Sequence, residues 1–303
     1  MIAGNLRVAG VIVLFNPPET VMANIRSYVH QIETLYVVNN SDVGDPILER
    51  ELIALGNVIY LANLGNPGQA HALNRGILAA LEAGADFILT MDQDSRARPS
   101  LVSQMLAVLD EIPGGDVAIL APFHLTKLSP TPPPSRWQEV FTTMTSGNLL
   151  KADAYRKAGP FREELFLDFV DVEYCLRLRN NDFRIIQVNG ALLDHSWANM
   201  TENSFLGRRV VHLNYPPFRW YYIARNFCYV YAIYKSVFPE SYRLHRRFVL
   251  KQAVWALIFE RSKLLKLKMM FIGLRDFKTN RLGKLKYSDL QSVKGNESGS
   301  QKI

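Results

Sequence analysis

Asp92 and Asp94 stand one residue apart at the end of an apolar run, FILTMDQDS, and are the side chains best placed to hold a divalent cation. Phe87, Ile88, Leu89 and Met91 read as a strand buried on both faces. Both carboxylates then fall at its C-terminal end, where open α/β sheets bind their ligands. Two apart in extended chain, they can point the same way. Hard Mg²⁺ or Mn²⁺ takes a few carboxylate oxygens and fills its other sites with phosphate, so the pair suits a cation that itself carries a diphosphate. A second acidic constellation lies in FLDFVDVEYCLRLR, residues 166–179. With a helix from about Val170, Val172, Cys175, Leu176 and Arg179 follow helical spacing, and the helix dipole favours Asp168 and Asp171 near its start.

These groups need a scaffold, and the first ninety residues supply its pattern. Apolar runs at 8–15, 35–38, 58–61 and 87–91 read as strands, each stopped by polar or turn-forming residues. Between the first two runs a helix capped by Thr20 is expected, burying Val21, Ile25, Tyr28 and Ile32. Asn66, Pro67 and Gly68 open another, with Ala70, Leu73, Ile77 and Leu81 inward. Alternation of this kind predicts an α/β fold with a doubly wound, mostly parallel sheet. Asn16, Asn40, Asp42, Asn63, Asp92 and Asp94 would line one crevice beyond the strand ends. No GxGxxG follows the first strand and no GxxxxGK[ST] occurs, so a nucleotide held here needs a metal for its diphosphate.

Further strands are expected at 117–122 and 185–193. TPPPSR, at 131–136, reads as a surface loop on the acceptor side. Composition bounds the rest. The 303 residues are 48% hydrophobic, enough for a large core. Cys175 and Cys228 fall in apparent helices and read as buried apolar groups rather than a disulfide or a metal site. Neither a secretion signal nor an uncharged apolar run of 18 residues is evident, which predicts a cytoplasmic protein without a transmembrane helix. Charge is divided sharply: residues 1–204 hold 15 Lys and Arg against 23 Asp and Glu, net −8, whereas 205–303 hold 20 against 5, net +15. The basic portion is also aromatic-rich and mixes Phe248, Trp255, Leu257, Ile258, Leu264, Leu265 and Met269 with cations. Helices of that kind either lie in a membrane interface or pack their apolar face on the rest of the protein.

The ordered series VIVLFNPP, LYVVNNSD, NLGNPGQAHALNRG, FILTMDQDS, TSGNLL and FLDFVDVEYCLRLR resembles glycosyltransferase family 2. DQDS, NPGQAHALNRG and WYYIARN are most similar to bacterial rhamnosyltransferases. The likeness covers about residues 7–235. It implies a GT-A fold and inverting transfer from a nucleoside diphosphate sugar, with a metal at Asp92 and Asp94. It also makes Asp171 the base, by alignment to the family's Glu-Asp-Val-Asp pattern, with Asp168 and Glu173 in support. Gly147, in the Thr145–Asn148 stretch, falls where the family cradles the donor sugar; a plain helix start is the other reading. His195, in DHSW, takes the place of a third metal ligand or phosphate contact in some relatives; otherwise it is a hydrogen-bonded loop residue. Asn39-Asn40 replaces the usual Asp-Asn, so the contact to base or ribose is an uncharged amide.

The domains expected are residues 1–215 for donor binding and catalysis, 216–287 as a basic helical appendage that docks on a membrane, and 288–303 as a disordered tail. Expected partners are a nucleotide sugar, dTDP-rhamnose by the resemblance, a glycan or lipid-linked acceptor and the inner face of the cell membrane, with no nucleic acid. The cofactor is Mg or Mn. A sugar nucleotidyltransferase would share an acidic metal site but opens with a Gly-rich loop and a cation where this chain has FNPPE. A membrane- or RNA-binding scaffold with a degenerate transferase domain would not need Asp92, Asp94 and Asp171 intact.

Overall fold

The computed structural model describes residues 6–63, 65–127, 129–195, 200–205 and 207–286. The tail expected at 288–303 lies outside them. The chain divides into two compact units, Met1–Glu163 with Val170–Ala198, and Glu164–Phe169 with Asn199–Ile303.

The first unit begins β1 (Val8–Leu14), α1 (Val21–Arg26), β2 (Thr34–Asn39), α2 (Pro46–Ile53), β3 (Val58–Ala62), α3 (Gln69–Glu82) and β4 (Phe87–Asp92). It continues β5 (Ser95–Ala97), α4 (Leu101–Leu106), β6 (Val117–Leu125), β7 (Trp137–Glu139), β8 (Asn148–Lys151), α5 (Ala152–Ala158), α6 (Val170–Asn180) and β9 (Arg184–His195). The sheet order is β3-β2-β1-β4-β8-β6-β9-β5, with β7 also paired to β9. The four strands from β3 to β4 are mutually parallel. Beyond β4 the sheet becomes mixed: β8 runs antiparallel to both its neighbours, and β6 and β9 are parallel to one another. Register aligns the ends that matter, pairing Val13 with Asp92 and Leu14 with Asn39.

Central β4 is buried along its length except at Asp92, as its unbroken apolar run predicts. Helix α3 packs so closely on β1 that a Cβ on Gly76 would stand 2.5 Å from Val11 Cγ1. Two expectations are corrected. Thr20 precedes α1 without a side-chain cap, and the helix stops at Arg26. Tyr28 and Ile32 are buried from outside it, after the chain tightens into a 3₁₀ turn at Val29–Gln31. The Thr145–Asn148 stretch leads into a strand, because Asn148 to Lys151 pair with β4; the helix waits until Ala152.

The second unit holds the hairpin β10 (Thr201–Phe205) and β11 (Arg208–His212), followed by α7 (Pro217–Tyr234), α8 (Pro239–Phe259) and α9 (Lys263–Lys278). Helices α7 and α9 cross at Gly273, where a Cβ would meet the Tyr221 carbonyl at 2.4 Å. Phe166, Tyr221, Tyr222, Met269 and Ile272 form one apolar cluster here. Glu260 is buried between His212, at 2.9 Å, and Lys266, at 2.5 Å, and ties the hairpin to the α8–α9 junction. Cys175 and Cys228 are free thiols; Cys175 is buried as expected, whereas Cys228 is only half-buried. No helix among the described residues is long and apolar enough to cross a membrane.

Candidate functional site

Asp92 ends β4, Asp94 follows in the turn and His195 ends β9. β5 pairs with the end of β9, setting Ser95 opposite His195. One possible ligand atom from each of Asp92, Asp94 and His195 lies within 4.8 Å of the others. His195 Nδ1 is 3.9 Å from Asp94 Oδ1 and 2.8 Å from Ser95 Oγ. Burial pushes the His195 imidazole down to about 4, so it is neutral near pH 7 and retains a lone pair. Nδ1 is thus the ring nitrogen that faces both Asp94 and Ser95, and the tautomer sets whether it donates to Ser95 Oγ or offers its lone pair. Two carboxylates and a neutral imidazole suit Mn²⁺ or Mg²⁺ that completes its shell with phosphate oxygens, so the donor set fits.

Ser146, fully buried, links the parts of this cluster. Its Oγ accepts from the Asp92 N–H at 3.0 Å and donates to Ser95 Oγ at 2.8 Å. Its carbonyl lies 2.7 Å from His124 Nε2, another imidazole that burial lowers to about 4. The backbone around it is fixed by β4: Thr90 Oγ1 donates to Thr145 O at 2.6 Å, and Gly147 N–H donates to Thr90 O at 2.6 Å. Gly147 has φ +82°, and a Cβ there would meet Pro122 Cγ at 2.6 Å and Leu193 Cδ2 at 2.9 Å. Glycine is required by that packing as much as by its backbone angle.

The crevice wall is built from the amides at the strand ends. The Asn39 and Asn40 side chains, expected to face a nucleotide, are turned inward. Asn39 Nδ2 donates to Tyr60 OH at 2.7 Å, and its Oδ1 accepts from Ser41 N. Asn40 Nδ2 donates to Gly68 O, while its Oδ1 accepts from Asn63 Nδ2 at 2.6 Å. Asn63 Oδ1 in turn accepts from Arg75. Buried amides without such partners would be costly, which explains the turn inward. Asn16, with φ +43°, donates its N–H to Ser41 Oγ, and Asp42 is exposed. Gln93, between the two aspartates, grips Phe15 twice: its Oε1 accepts from Phe15 N at 2.9 Å and its Nε2 donates to Phe15 O at 3.1 Å.

Asp171 is half-buried in the first turn of α6, where its Oδ1 accepts from Val172 N at 2.8 Å. It lines a narrow depression with Thr90, Thr143, Thr145, Asn148 and Cys175. Thr90 is two residues before Asp92, and Thr145 adjoins Ser146. Two of the residues lining the depression are thus near neighbours in the chain of Asp92 and of its partner Ser146. Glu173, expected as support, is fully buried and pairs with Arg162 at 2.8 Å and Arg177 at 2.9 Å. Within the second unit, Asp168 is gripped by the Arg219 guanidinium through both carboxylate oxygens. It sits in an unusual turn: Phe166, Asp168 and Phe169 all have positive φ, 65°, 59° and 63°. Left-handed backbone costs a non-glycine residue about 1–2 kcal/mol, so the surrounding contacts must hold this turn.

Sequence reasoning noted Ser146 only within the Ser-Gly segment and missed it as a partner of Asp92; it gave no role to the side chains of Ser95, Gln93 and His124. The DxD spacing and the expected strand end give no pointer to a serine more than fifty residues away.

The profile of the family described as Glycosyl transferase family 2 matches residues 11–166. Over 245 residues the chain is 27% identical to the dTDP-rhamnosyl transferase RfbF of Shigella flexneri, covering 73% of this chain and 79% of that protein. Among solved structures, S. aureus TarS 1-349 in complex with UDP-GlcNAc superposes with a TM-score of 0.57 at 12% identity, covering 90% of this chain and 80% of that one. In a longer TarS structure this chain spans 43% of the length. GalNAc-T7 with UDP, GalNAc and Mn2+ gives 0.53 at 12% identity, covering 84% of this chain and 58% of that one. These structural likenesses concern the fold.

Proposed function

The chain belongs to glycosyl transferase family 2, and from that premise we propose that this GT-A transferase moves L-rhamnose from dTDP-rhamnose, with inversion, onto a glycan acceptor carried by a lipid. The observation that supports the reading is the convergence of Asp92, Asp94 and His195 beyond the strand ends, with Asp171 lining a depression whose Thr90 and Thr145 are chain neighbours of that cluster. The likeness to a dTDP-rhamnosyl transferase supports the choice of donor.

In this reading Asp92, Asp94 and His195 would hold a divalent cation, which would supply positive charge toward the departing diphosphate. The Mn2+ named with one structural relative supports that assignment. Asp171 accepts the proton of the acceptor hydroxyl while that oxygen bonds to the anomeric carbon. The bond from that carbon to the diphosphate oxygen breaks on the opposite face, and the electron pair leaves with the nucleotide. Asn16, Asp42, Asn63 and Gly147 border the donor, with Asn39 and Asn40 shaping the wall from behind.

Residues 216–287 dock the enzyme on the inner face of the cell membrane. Leu264, Phe271 and Leu274 are exposed along one side of α9, together with Lys268, Arg275 and Lys278. On α8, Leu244, Phe248 and Ile258 are likewise exposed near Arg247 and Lys251. Apolar side chains interleaved with cations suit an anionic leaflet.

The decisive experiment compares Asp171→Asn with Asp168→Asn, measuring transfer and nucleotide affinity. Asp171→Asn should lower turnover roughly 10²- to 10⁴-fold, the usual share of a general base, while nucleotide affinity holds. Near-normal transfer by Asp171→Asn, with loss in Asp168→Asn, would assign the base to the other carboxylate.

A further inference from the structure

The turn at 164–169 is held by consecutive, fully buried polar residues of α7, Arg225 and Asn226. Asn226 Nδ2 donates to the carbonyls of Leu165, Leu167 and Asp168 at 3.0, 2.8 and 2.9 Å. Arg225 Nη2 donates to the carbonyl of Leu165 at 2.9 Å and reaches that of Glu164 at 3.4 Å. Arg225 Nε also donates to Asn226 Oδ1 at 2.9 Å. That bond fixes the orientation of the amide, because its oxygen is taken and its NH₂ must face the turn.

Other contacts from the same helix close on the turn's side chains. Arg219 grips Asp168, the Tyr222 ring stacks on Phe166 with centroids 5.2 Å apart, and Phe227 meets Phe169 edge-on at 5.9 Å. Nothing in ordinary packing demands three left-handed non-glycine residues among four. The carbonyls of Leu165, Leu167 and Asp168 are turned to the Arg225–Asn226 pair, which satisfies a backbone unable to form a regular ladder. The turn ends at Phe169, and the next residue, Val170, begins α6. Asp171 is therefore two peptide bonds beyond the last strained residue.

We infer that Arg225 and Asn226 are positioning residues for transfer: by holding the 164–169 turn left-handed, they set, through chain continuity, where Asp171 stands. The inference rests on Asp171 being the base. A carboxylate displaced by about 1 Å loses on the order of 10²-fold in rate without losing its proton affinity.

The test is a double-mutant cycle. Asn226→Ala should lower kcat about 10- to 100-fold and leave dTDP affinity within about twofold, with the acceptor KM little changed. In an Asp171→Asn background the same substitution should cost less than about threefold, because groups acting as one unit are not additive. Arg225→Lys keeps the charge but loses the fork that orients the amide, and should reproduce the kcat loss. Asn226→Ser, which retains one donor, should fall between. Thermal melts report folding, and if Asn226→Ala is unfolded the serine and lysine variants carry the cycle. A folded Asn226→Ala with unchanged kcat would overturn the inference, as would an equal loss in the Asp171→Asn background. If Asp171→Asn alone retains transfer, the base assignment fails on that single variant and the positioning role falls with it.

Discussion

Replacing Ser146 by alanine tests whether the acidic cluster is organised from behind. The substitution removes one oxygen from a fully buried position and deprives the Asp92 N–H and the Ser95 hydroxyl of their partner. A buried polar group left without a partner costs about 1–3 kcal/mol. Asp92 is only half-buried, so water can recover part of this, and a total loss of stability near the lower end is expected. The functional effect is larger in proportion. Without Ser146 the Ser95 hydroxyl is no longer oriented, and Ser95 is the group bonded to His195 Nδ1. Outer partners of metal ligands typically contribute 10- to 100-fold in affinity, about 1.4–2.7 kcal/mol. Consider Mn²⁺ titrated into protein saturated with dTDP. At 100 times its dissociation constant the cation stabilises the fold by about 2.7 kcal/mol, and a 30-fold weaker site would leave about 0.9 kcal/mol. Calorimetric or thermal-shift titration resolves that difference, and Ser95→Ala should weaken the cation similarly while sparing the Asp92 bond. A folded Ser146→Ala protein whose Mn²⁺ affinity matches the parent would refute the reasoning.

Asp94→Ala should abolish metal-dependent binding of the diphosphate; nucleotide binding with unchanged metal dependence in that variant would move the site elsewhere. Glu173→Gln should destabilise the protein by about 3 kcal/mol, since removing one partner of a buried ion pair strands the others; urea denaturation reads this, and a loss below about 1 kcal/mol would show that Arg162 and Arg177 find water instead. Reversing Lys268, Arg275 and Lys278 together to glutamate should release the chain from anionic vesicles in flotation, with salt weakening the parent in the same direction. Unaltered flotation would mean that this side of α9 does not face the leaflet.

Strands β1, β2 and β4 were legible because unbroken apolar runs have few alternatives once both faces must be buried. The ends of those strands located Asp92 and Asp94 for the same reason. Helix α1 was legible only in part: the spacing of Val21, Ile25, Tyr28 and Ile32 recorded burial correctly, but burial does not distinguish a continuous helix from a short one followed by a tighter turn. Ser146 was illegible as a partner of Asp92, because its role depends on β8 lying antiparallel beside β4, a pairing between distant stretches. The inward amides of Asn39 and Asn40 were hidden similarly, their partners being Tyr60, Gly68 and Asn63. The left-handed turn at 166–169 carries no glycine or asparagine to announce it; only the contacts from α7 reveal what holds it.

The two-handed grip of Gln93 on Phe15 ties the first loop to the turn that bears Asp92 and Asp94. A cation drawn between Asp92 and Asp94 would stiffen the residue between them, and that residue stiffens the loop bearing Asn16. Nucleotide settling against the loop would do the same in reverse. Thermodynamic reciprocity then requires one number for both directions: the factor by which cation tightens nucleotide equals the factor by which nucleotide tightens cation. Gln93→Ala, which leaves every proposed ligand in place, would separate the part of that mutual factor carried by the protein from the part due to direct contact between cation and diphosphate.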